Sequence, residues 1–336
     1  MVIHVIVLAL SFGIILVGSE LFTNGVEWAG ERLSIAEAAV GSLLAAVGTA
    51  LPETFIPLVA LLGGDPGHDA VGVGAIIGAP LMLSTVALFV MGIAAIAYRD
   101  RRGRIALHVA RHDARRVLTF FFMFFVVFAG CGLLHLGAIA RHVLAVVALV
   151  GYSLYAAVML RLKRAAETRM DRGLHLDWLF GRESRNPSGS MIGFQILVGV
   201  LAILVGAMEF VDQIVLFSAH VGVNPGVLSL ILSPLATELP EKYNSVVWIR
   251  QRKDHLALAN ITGAMVFQSC LPVALGLAFT PWVLSASEIL AAVIALSSST
   301  ILFINLRDSE LGTPTLMIGG IAYAIFLAGL TYLGVL

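Results

Sequence analysis

The chain has 336 residues, of which 59% are hydrophobic and only 12% are charged. Soluble domains carry about 25% charged residues, so this composition excludes an ordinary water-facing surface and points to lipid as the solvent. The formal net charge is zero, which excludes the strongly basic field of a nucleic-acid-binding protein.

Ten apolar segments follow one another along the chain. Each is close to or above the length of about 20 helical residues that crosses a hydrocarbon core. The segments are 2–28, 35–62, 70–98, 117–136, 142–162, 190–220, 224–250, 255–279, 282–304 and 313–335. Membrane-spanning strands are disfavoured because an open sheet edge cannot be satisfied in lipid. The sequence therefore predicts an all-α polytopic membrane protein with ten transmembrane helices.

Basic residues lie almost entirely on one side of these segments. With the N-terminus outside, every Lys and Arg except Arg141 and Lys242 falls in an inside loop or at its edge. This asymmetry is the positive-inside signal of an integral membrane protein. It predicts an even number of spans with both termini outside. The small size and the lack of added domains favour a prokaryotic cell (inner) membrane.

The sequence contains an internal repeat with an offset of 188 residues, the separation of Glu53 and Glu241. Residues 17–59 match residues 205–247 without a gap. Five spans in each half is an odd number, so the second half must enter the membrane with opposite polarity, as in the inverted repeats of secondary transporters. The predicted domains are a first inverted five-helix repeat at 1–162, a cytoplasmic linker at 163–189 and a second inverted repeat at 190–336.

Each half contains a proline followed by a glutamate inside an apolar segment, in ALPETF and in ELPEKY. Proline removes a backbone donor, so Pro52 and Pro240 are predicted to interrupt helices 2 and 7 in mid-span. Carbonyls freed around Ala50 and Glu238 are tolerated in lipid only where something polar lies against them. A cation fits this place.

Glu53 and Glu241 are therefore the candidate cation ligands. A carboxylate at the membrane centre is costly unless it is paired or hydrated. Hard cations such as Ca²⁺ take several oxygens from carboxylates and backbone carbonyls. The alternative is a pair of protonated glutamates hydrogen-bonded between helices, and the equivalent placement of the two residues in the repeat favours the cation site.

The segments GTALPETF and ATELPEKY resemble GTSLPE, the signature that the cation/calcium exchanger superfamily carries once in each inverted half. GAIIGAPLML at 74–83 and ANITGAMVFQ at 259–268 are similar to the helix motif that follows it. The chain is thereby identified as a divergent member with a sodium/calcium exchanger-like fold. The resemblance implies calcium ligation by the two motif glutamates and backbone carbonyls from Thr49 and Thr237. It implies no cofactor and no partner besides inorganic cations and the bilayer, and it gives no oligomeric state.

Several positions depart from the family's motifs. The motif serine is Ala50 in the first half and Glu238 in the second, and the acidic position of the second helix motif is Gln268. These changes disfavour a full set of sodium sites. A glutamine at this place is similar to the proton-coupled branch of the family, so Gln268 joins the candidate site.

The resemblance implies a secondary active antiporter that exchanges Ca²⁺ for H⁺ or Na⁺ by alternating access. The open alternative is an exchanger of the same fold that moves another cation, Na⁺, K⁺ or Mn²⁺. An intramembrane enzyme is disfavoured because the sequence has neither an HExxH nor a GxSxG motif.

Glu238 and Lys242 are four residues apart, the spacing at which side chains meet on a helix. In one interpretation Glu238 is a third cation ligand, and Lys242 is an internal cation that retreats when the substrate enters. In the other interpretation Glu238 only neutralises Lys242. The sequence leaves both open.

Glu20, Glu209 and Asp212 lie in the first span of each half. In the family that the chain resembles, these long helices slide past the core during alternating access. The three acids are candidates for a site-entry or proton-relay role and, with Ala50 and Lys242, for modulators of the site. The alternative is pairing at a helix interface or proximity to the headgroups.

Overall fold

Helices make up nearly all of the described structure. The computed structural model describes residues 2–32, 51–162, 174–176 and 187–335. The first half contains α1 (Val2–Arg32), α2 (Leu51–Gly63), α3 (Pro66–Met82), a π-helical turn (Leu83–Ala87), α4 (Leu88–Ala97), the single turn α5 (Arg99–Arg102), β1 (Leu107–His108), α6 (Arg111–Cys131) and α7 (Ala138–Leu162). The second half contains α8 (Gly189–Val221), α9 (Pro225–Thr237), α10 (Leu239–Arg250), α11 (Asp254–Gln268), α12 (Leu271–Phe279), α13 (Ala286–Asn305), β2 (Glu310–Leu311) and α14 (Thr313–Tyr332).

Eight helical stretches within the described residues are long and apolar enough to cross a membrane, and they coincide with eight of the ten predicted spans. The prediction of an α-helical membrane protein is confirmed. The other two predicted spans carry the Pro-Glu motifs. Residues 35–50 of the first lie outside the described residues, and the rest forms α2, which has 13 residues. The second, 224–250, is divided into α9 and α10.

The predicted interruption of helix 7 is confirmed at Glu238. Pro240 has no N–H to donate to the carbonyl oxygen of Ala236, so the regular ladder of hydrogen bonds cannot run through this position. Glu238 lies between the two helices with φ −91° and ψ 11°. In the first half α2 begins at Leu51, so Pro52 lies in its first turn, and the residues before it lie outside the described part.

The two helices that follow the motifs are also irregular, at matching places. The span 70–98 takes π-helical geometry at Leu83–Ala87. The span 255–279 breaks at Ser269 and Cys270, just before the first turn of α12. Leu83 aligns with Gln268, the residue before that break, in the second match of the repeat. Local π-helical turns are frequent at functional sites.

The first helices of the two halves, α1 and α8, pack side by side in opposite directions. Near one end, Nδ1 of His4 lies 2.8 Å from Oε1 of Gln213. Near the other end, Arg32 donates a hydrogen bond to the carbonyl oxygen of Pro187, which precedes α8. Helices that occupy equivalent places in the repeat therefore run antiparallel.

These two helices cross closely at small residues, and the contact has pseudo-twofold symmetry. A β-carbon at Gly18 would lie 2.9 Å from the carbonyl oxygen of Gly199, and one at Gly206 would lie 3.0 Å from that of Ser11. Gly206 aligns with Gly18 in the repeat, and the same offset of 188 residues, extended beyond the matched segment, relates Gly199 to Ser11. Each half thus presents the same surface to the other, as expected for halves related by a twofold axis.

Among the eight long apolar helical stretches that the structure describes, those of the third and eighth predicted spans are the most buried. In an 18-residue window of each stretch, the share of buried residues is 78% within Pro66–Ala97 and 72% within Asp254–Phe279, against 22% within Val2–Gly30 and 33% within Gly189–Val221. Large apolar side chains such as Ile139 stand exposed on the outer helices, which suits lipid as the surrounding medium. The interrupted helices therefore lie at the centre, and α1 and α8 lie at the periphery.

Helix α3 approaches α9 closely because glycines line the crossing. A β-carbon at Gly74 would collide with the carbonyl oxygen of Gly226, and one at Gly78 would collide with that of Leu230. The β-carbon at Gly78 would also lie 2.8 Å from Cγ of Pro234. Small residues at this spacing allow backbones to touch, as they do in many membrane proteins.

The turn between α2 and α3 is held by a helix cap. Oδ1 of Asp65 accepts hydrogen bonds from the backbone N–H groups of Gly67 and His68, at 2.9 and 3.1 Å. The bond from His68 lowers the pKa of the Asp65 carboxyl below its ordinary value, because it stabilises the charged form. His68 also lies 3.0 Å from Asp212, which ties this turn to α8.

Loops at the end predicted to lie inside are joined through Asp254, the first residue of α11. Nη2 of Arg102 lies 2.7 Å from Oδ2 of Asp254, and both side chains are fully buried. The backbone N–H of His108 donates to the same oxygen at 2.9 Å. Next to this ion pair, β1 pairs antiparallel with β2, with Leu107 opposite Leu311.

Most of the predicted linker 163–189 lies outside the described residues. Leu174, which the structure does describe, is buried and packs with Trp28 and Ile192. This part of the linker therefore lies against α1 and α8.

Candidate functional site

Buried acids converge where α9 meets α10 and where α2 begins. Glu53 lies in the first turn of α2, Glu238 lies between α9 and α10, and Glu241 lies in the first turn of α10. They are 5%, 1% and 3% exposed, respectively. We refer to these three residues as the carboxylate cluster.

The members of the carboxylate cluster interact electrostatically. Glu53 interacts electrostatically with Glu241, Glu238 and Lys242. Glu241 also acts on Glu238. The two motif glutamates that the repeat aligns are therefore within electrostatic range of each other. Like charges in a medium of low dielectric constant repel strongly, so the cluster needs a positive partner whenever its members are ionised.

One positive partner belongs to the chain. Lys242 is 6% exposed, and its ammonium lies 3.1 Å from Oε2 of Glu238. The ammonium also donates to the carbonyl oxygen of Pro234 at 3.4 Å. The predicted pairing of Glu238 with Lys242 is confirmed, and the ammonium lies against a carbonyl oxygen one helical turn before the interruption.

Other oxygens at the site lack a donor within the described residues. Oε2 of Glu53, Oε1 of Glu238 and Oε1 of Gln268 are buried there without a hydrogen-bond partner. A buried acceptor without a partner costs roughly 1–3 kcal/mol, and more if it is charged. Unsatisfied oxygens concentrated at interrupted helices are suited to a cation or to water. Gln268 is 2% exposed and ends α11 beside the second break.

A small cavity joins the two motifs. Glu53 of the first motif and Thr237 of the second both line it, together with residues of α2, α3 and α9: Ile56, Pro57, Ala75, Ala79, Ser233 and Pro234. Its volume is about 10 Å³, close to the space that one water molecule needs. The described acidic, histidine and cysteine side chains form no group of three arranged to hold a metal ion. A cation bound here would therefore also need carbonyl oxygens, water or a closing movement.

Hydroxyl groups fix the geometry around the cavity. Thr237 donates to the carbonyl oxygen of Ser233 at 3.1 Å, and the hydroxyls of Ser233 and Ser229 lie 2.8 Å apart. Ser229 also donates to the carbonyl oxygen of Val71 in α3 at 2.6 Å. On the other side, Asn260 of α11 donates to the carbonyl oxygen of Glu241 at 3.3 Å. Helices α3, α9, α10 and α11 are thus hydrogen-bonded to one another around the site.

The remaining sequence-predicted residues lie elsewhere or outside the description. Thr49 and Ala50 fall outside the described residues. Glu20 lies 3.0 Å from His175 of the linker, and Glu209 accepts a hydrogen bond from Gln213 at 2.8 Å. Both acids are exposed on α1 and α8, as is Asp212 beside His68. Each of the three acids thus has a neighbouring side chain as its partner, and their role in entry or proton relay stays a prediction.

Sequence reasoning missed the contribution of Pro234 and Tyr323. Pro234 lies inside α9 and lends its carbonyl oxygen to Lys242. A second proline only six residues before Pro240 was the available signal. Tyr323 of α14 interacts electrostatically with Glu238. Nothing in its apolar sequence context marks it, since only the packing of α14 against the centre brings it close.

Buried acids at interrupted helices in the centre of a helical membrane protein are typical of secondary ion transporters. The chain belongs to the sodium/calcium exchanger protein family, whose sequence model matches residues 3–162 and 192–334. This confirms the resemblance carried by the two motif pairs. No curated protein sequence matches the chain significantly.

Solved structures share the fold. The crystal structure of the H⁺/Ca²⁺ exchanger CAX superposes with a TM-score of 0.74 at 16% identity, over 97% of this chain and 82% of that one. Native YfkE gives a TM-score of 0.65 at 16% identity, over 97% and 98%. The sodium-calcium exchanger NCX_Mj gives 0.60 at 20% identity, over 98% and 99%. At such low identities these likenesses establish the fold alone.

Proposed function

We propose that the chain is a secondary active antiporter that exchanges Ca²⁺ for H⁺ or Na⁺ at the carboxylate cluster. The observation that carries the proposal is that Glu53 and Glu241, which the repeat aligns, are both buried and act on each other's charge. A divalent cation between them would relieve this repulsion. Membership of the sodium/calcium exchanger family supports the same reaction class.

The proposed ligand set extends beyond the two glutamates. Glu238 and Gln268 each have a buried oxygen without a donor among the described residues, and Thr237 lines the cavity with Glu53. By the family resemblance, Thr49 would occupy the place in the first half that Thr237 has in the second. Carboxylate and carbonyl oxygens are the ligands that Ca²⁺ prefers.

The proposed architecture is two inverted five-helix repeats, 1–162 and 190–336, joined by a cytoplasmic linker at 163–189, with both termini outside a prokaryotic cell membrane. The antiparallel packing of α1 and α8 around Gly18 and Gly206 supports it. These peripheral helices would slide against the buried centre, so that the site opens to each side in turn. Rocking of one element against a fixed site is the usual form of alternating access in inverted-repeat transporters.

The test is calcium flux in proteoliposomes that hold the purified chain. We expect uptake of isotopic Ca²⁺ that is driven by an outward gradient of H⁺ or Na⁺ and stops when the gradient is collapsed. Glu53→Gln and Glu241→Gln each remove a charged ligand and are expected to abolish this flux. Glu310→Gln, at an exposed position of β2, is the matched control. Normal calcium exchange by both cluster variants would overturn the site.

A second candidate is an exchanger of the same fold that moves Na⁺, K⁺ or Mn²⁺. The buried Lys242 favours it, because its ammonium neutralises part of the negative charge that would attract Ca²⁺. The same proteoliposomes distinguish the two candidates when they are loaded with each cation in turn. Gradient-driven movement of one of these cations, without movement of Ca²⁺ under either gradient, would favour the second candidate.

A further inference from the structure

The ammonium of Lys242 has contacts of the kind that a bound cation would make. Its ammonium contacts a carboxylate oxygen of Glu238 at 3.1 Å and the carbonyl oxygen of Pro234 at 3.4 Å. Carboxylate and carbonyl oxygens are also the ligands of hard metal cations. Pro234 lines the cavity that holds Glu53, and the charge of Lys242 acts on Glu53 as well.

The ion pair between Glu238 and Lys242 does not satisfy all of its own polar atoms. A buried ion pair is stabilising only when further hydrogen bonds satisfy its remaining atoms. Here Oε1 of Glu238 is buried without a donor among the described residues. Glu238 also lies at the interruption between α9 and α10. The pair therefore leaves ligand capacity at the helix break.

The formal charges of the cluster are not balanced by Lys242. The cluster contains three buried carboxyl groups and the neighbouring Lys242 supplies one ammonium, which leaves two negative charges when all are ionised. Residues 33–50, which lie outside the described part and precede α2, contain no Lys or Arg. One divalent cation or two monovalent cations would bring the cluster to neutrality, which a site in a low-dielectric medium requires.

We propose that the ammonium of Lys242 is a tethered cation of the transport site that permanently fills one monovalent position. This inference rests on the proposed transport site and adds to it a residue that sets the number of ions bound. With Lys242 in place, the cluster takes one divalent cation. Without it, the oxygens of Glu238 and Pro234 hold one additional small monovalent cation, and the repulsion between the ammonium and an entering cation is lost.

The first experiment measures thermal stability of the purified full chain at one alkaline pH, with choline chloride replaced by LiCl, NaCl or KCl. We expect Lys242→Met to gain several degrees of Tm from one of these cations beyond the gain of the wild type, because ligands that bind only the folded state stabilise it by mass action. Lys242→Arg keeps the charge and should respond as the wild type does. The double variant Glu238→Gln/Lys242→Met restores two net negative charges, so the additional gain should disappear.

The second experiment measures the apparent affinity for the divalent cation by isothermal titration. Because Lys242→Met lacks the ammonium, we expect it to bind the divalent cation about tenfold more tightly than the wild type does. The double variant Glu238→Gln/Lys242→Met is expected to lose most of this gain in affinity. The proposal is overturned if Lys242→Met loses stability equally in all four chlorides, or if the additional gain persists in the double variant. The wild type could fail to transport Ca²⁺ while Lys242→Met still gains additional stability from a monovalent cation. That result would contradict Ca²⁺ as the substrate but would support Lys242 as a tethered cation.

Discussion

Glu53, one of the proposed cation ligands, lies in an environment that is unfavourable for a charged group. The residue is 5% exposed, and one of its carboxyl oxygens has no donor among the described residues. The two other acids of the carboxylate cluster act on it with charge of the same sign. Such an arrangement is unfavourable for folding in the absence of a cation, and strain of this kind is typical of functional sites.

Neutralising Glu53 should therefore stabilise the protein while it abolishes exchange. For Glu53→Gln we expect a gain of about 2 kcal/mol in the free energy of unfolding at alkaline pH without small cations, of the order of the cost of a charge at the membrane centre. The measurement is chemical or thermal denaturation in detergent with choline as the only cation. Glu310→Gln, exposed on β2, should stay within about 0.5 kcal/mol of the wild type. A loss of stability on Glu53→Gln would contradict this account of the cluster.

At the scale of single elements, α3 and α9 determine the shape of the site. Pro234 removes the N–H that would bond to the carbonyl oxygen of Leu230, and Gly78 allows α3 to lie directly against that oxygen. The contact places Ala75 and Ala79 of α3 in the wall of the cavity opposite Thr237. The small size of these residues, rather than their polarity, sets the distance between the two helices.

A side chain at this crossing should push the helices apart. We expect Gly78→Ala to lower the stability of the protein by about 1–3 kcal/mol, the usual cost of overpacking, and to weaken cation binding because the cavity wall moves. The measurement is denaturation together with the calcium-flux assay. The control is Gly130→Ala, since a β-carbon at Gly130 meets no described atom within 4 Å. Equal stability of the two variants would show that the α3–α9 contact is not tight.

For the whole molecule, the antiparallel pair α1 and α8 supports an inverted arrangement of the two halves. Its contacts are symmetric about the crossing: Gly18 meets Gly199, as Gly206 meets Ser11. A helix and its repeat equivalent can run antiparallel in a membrane only if the halves have opposite polarity. That polarity follows from an odd number of spans in each half, which is the basis of the predicted topology.

The topology predicts which residues are reached from each side of the membrane. In a background of Cys131→Ser and Cys270→Ala, we expect Val2→Cys and Tyr332→Cys to react with a membrane-impermeant thiol reagent added to intact cells. Both positions are well exposed, at 67% and 92%. Arg104→Cys, in the loop after α5, should react only after the cells are permeabilised. Labelling of Arg104→Cys in intact cells would reverse the orientation, and opposite labelling of Val2→Cys and Tyr332→Cys would rule out an even number of spans.

Patterns along the chain were enough to determine the class of protein, the family and the motif acids. Apolar segments must be helical in lipid because each backbone group needs an internal partner, so hydropathy alone predicted eight spans that the structure contains. The helix break at Glu238 followed from the covalent chemistry of Pro240. The repeat aligned Glu53 with Glu241, and the spacing of Glu238 and Lys242 predicted their ion pair.

Only the tertiary structure shows which groups contact the site and which acids are buried. The carbonyl oxygen of Pro234 becomes a partner of Lys242 across the break between α9 and α10. Tyr323 comes within electrostatic range of Glu238 because α14, which is distant in sequence, packs at the centre. Packing also made the carboxylate cluster buried and left Glu20 and Glu209 exposed. Hydropathy does not distinguish these acids, because all of them lie in apolar segments. Hydropathy reports whether a helix can enter lipid, but which of its faces meets another helix depends on the fit of side chains from both halves.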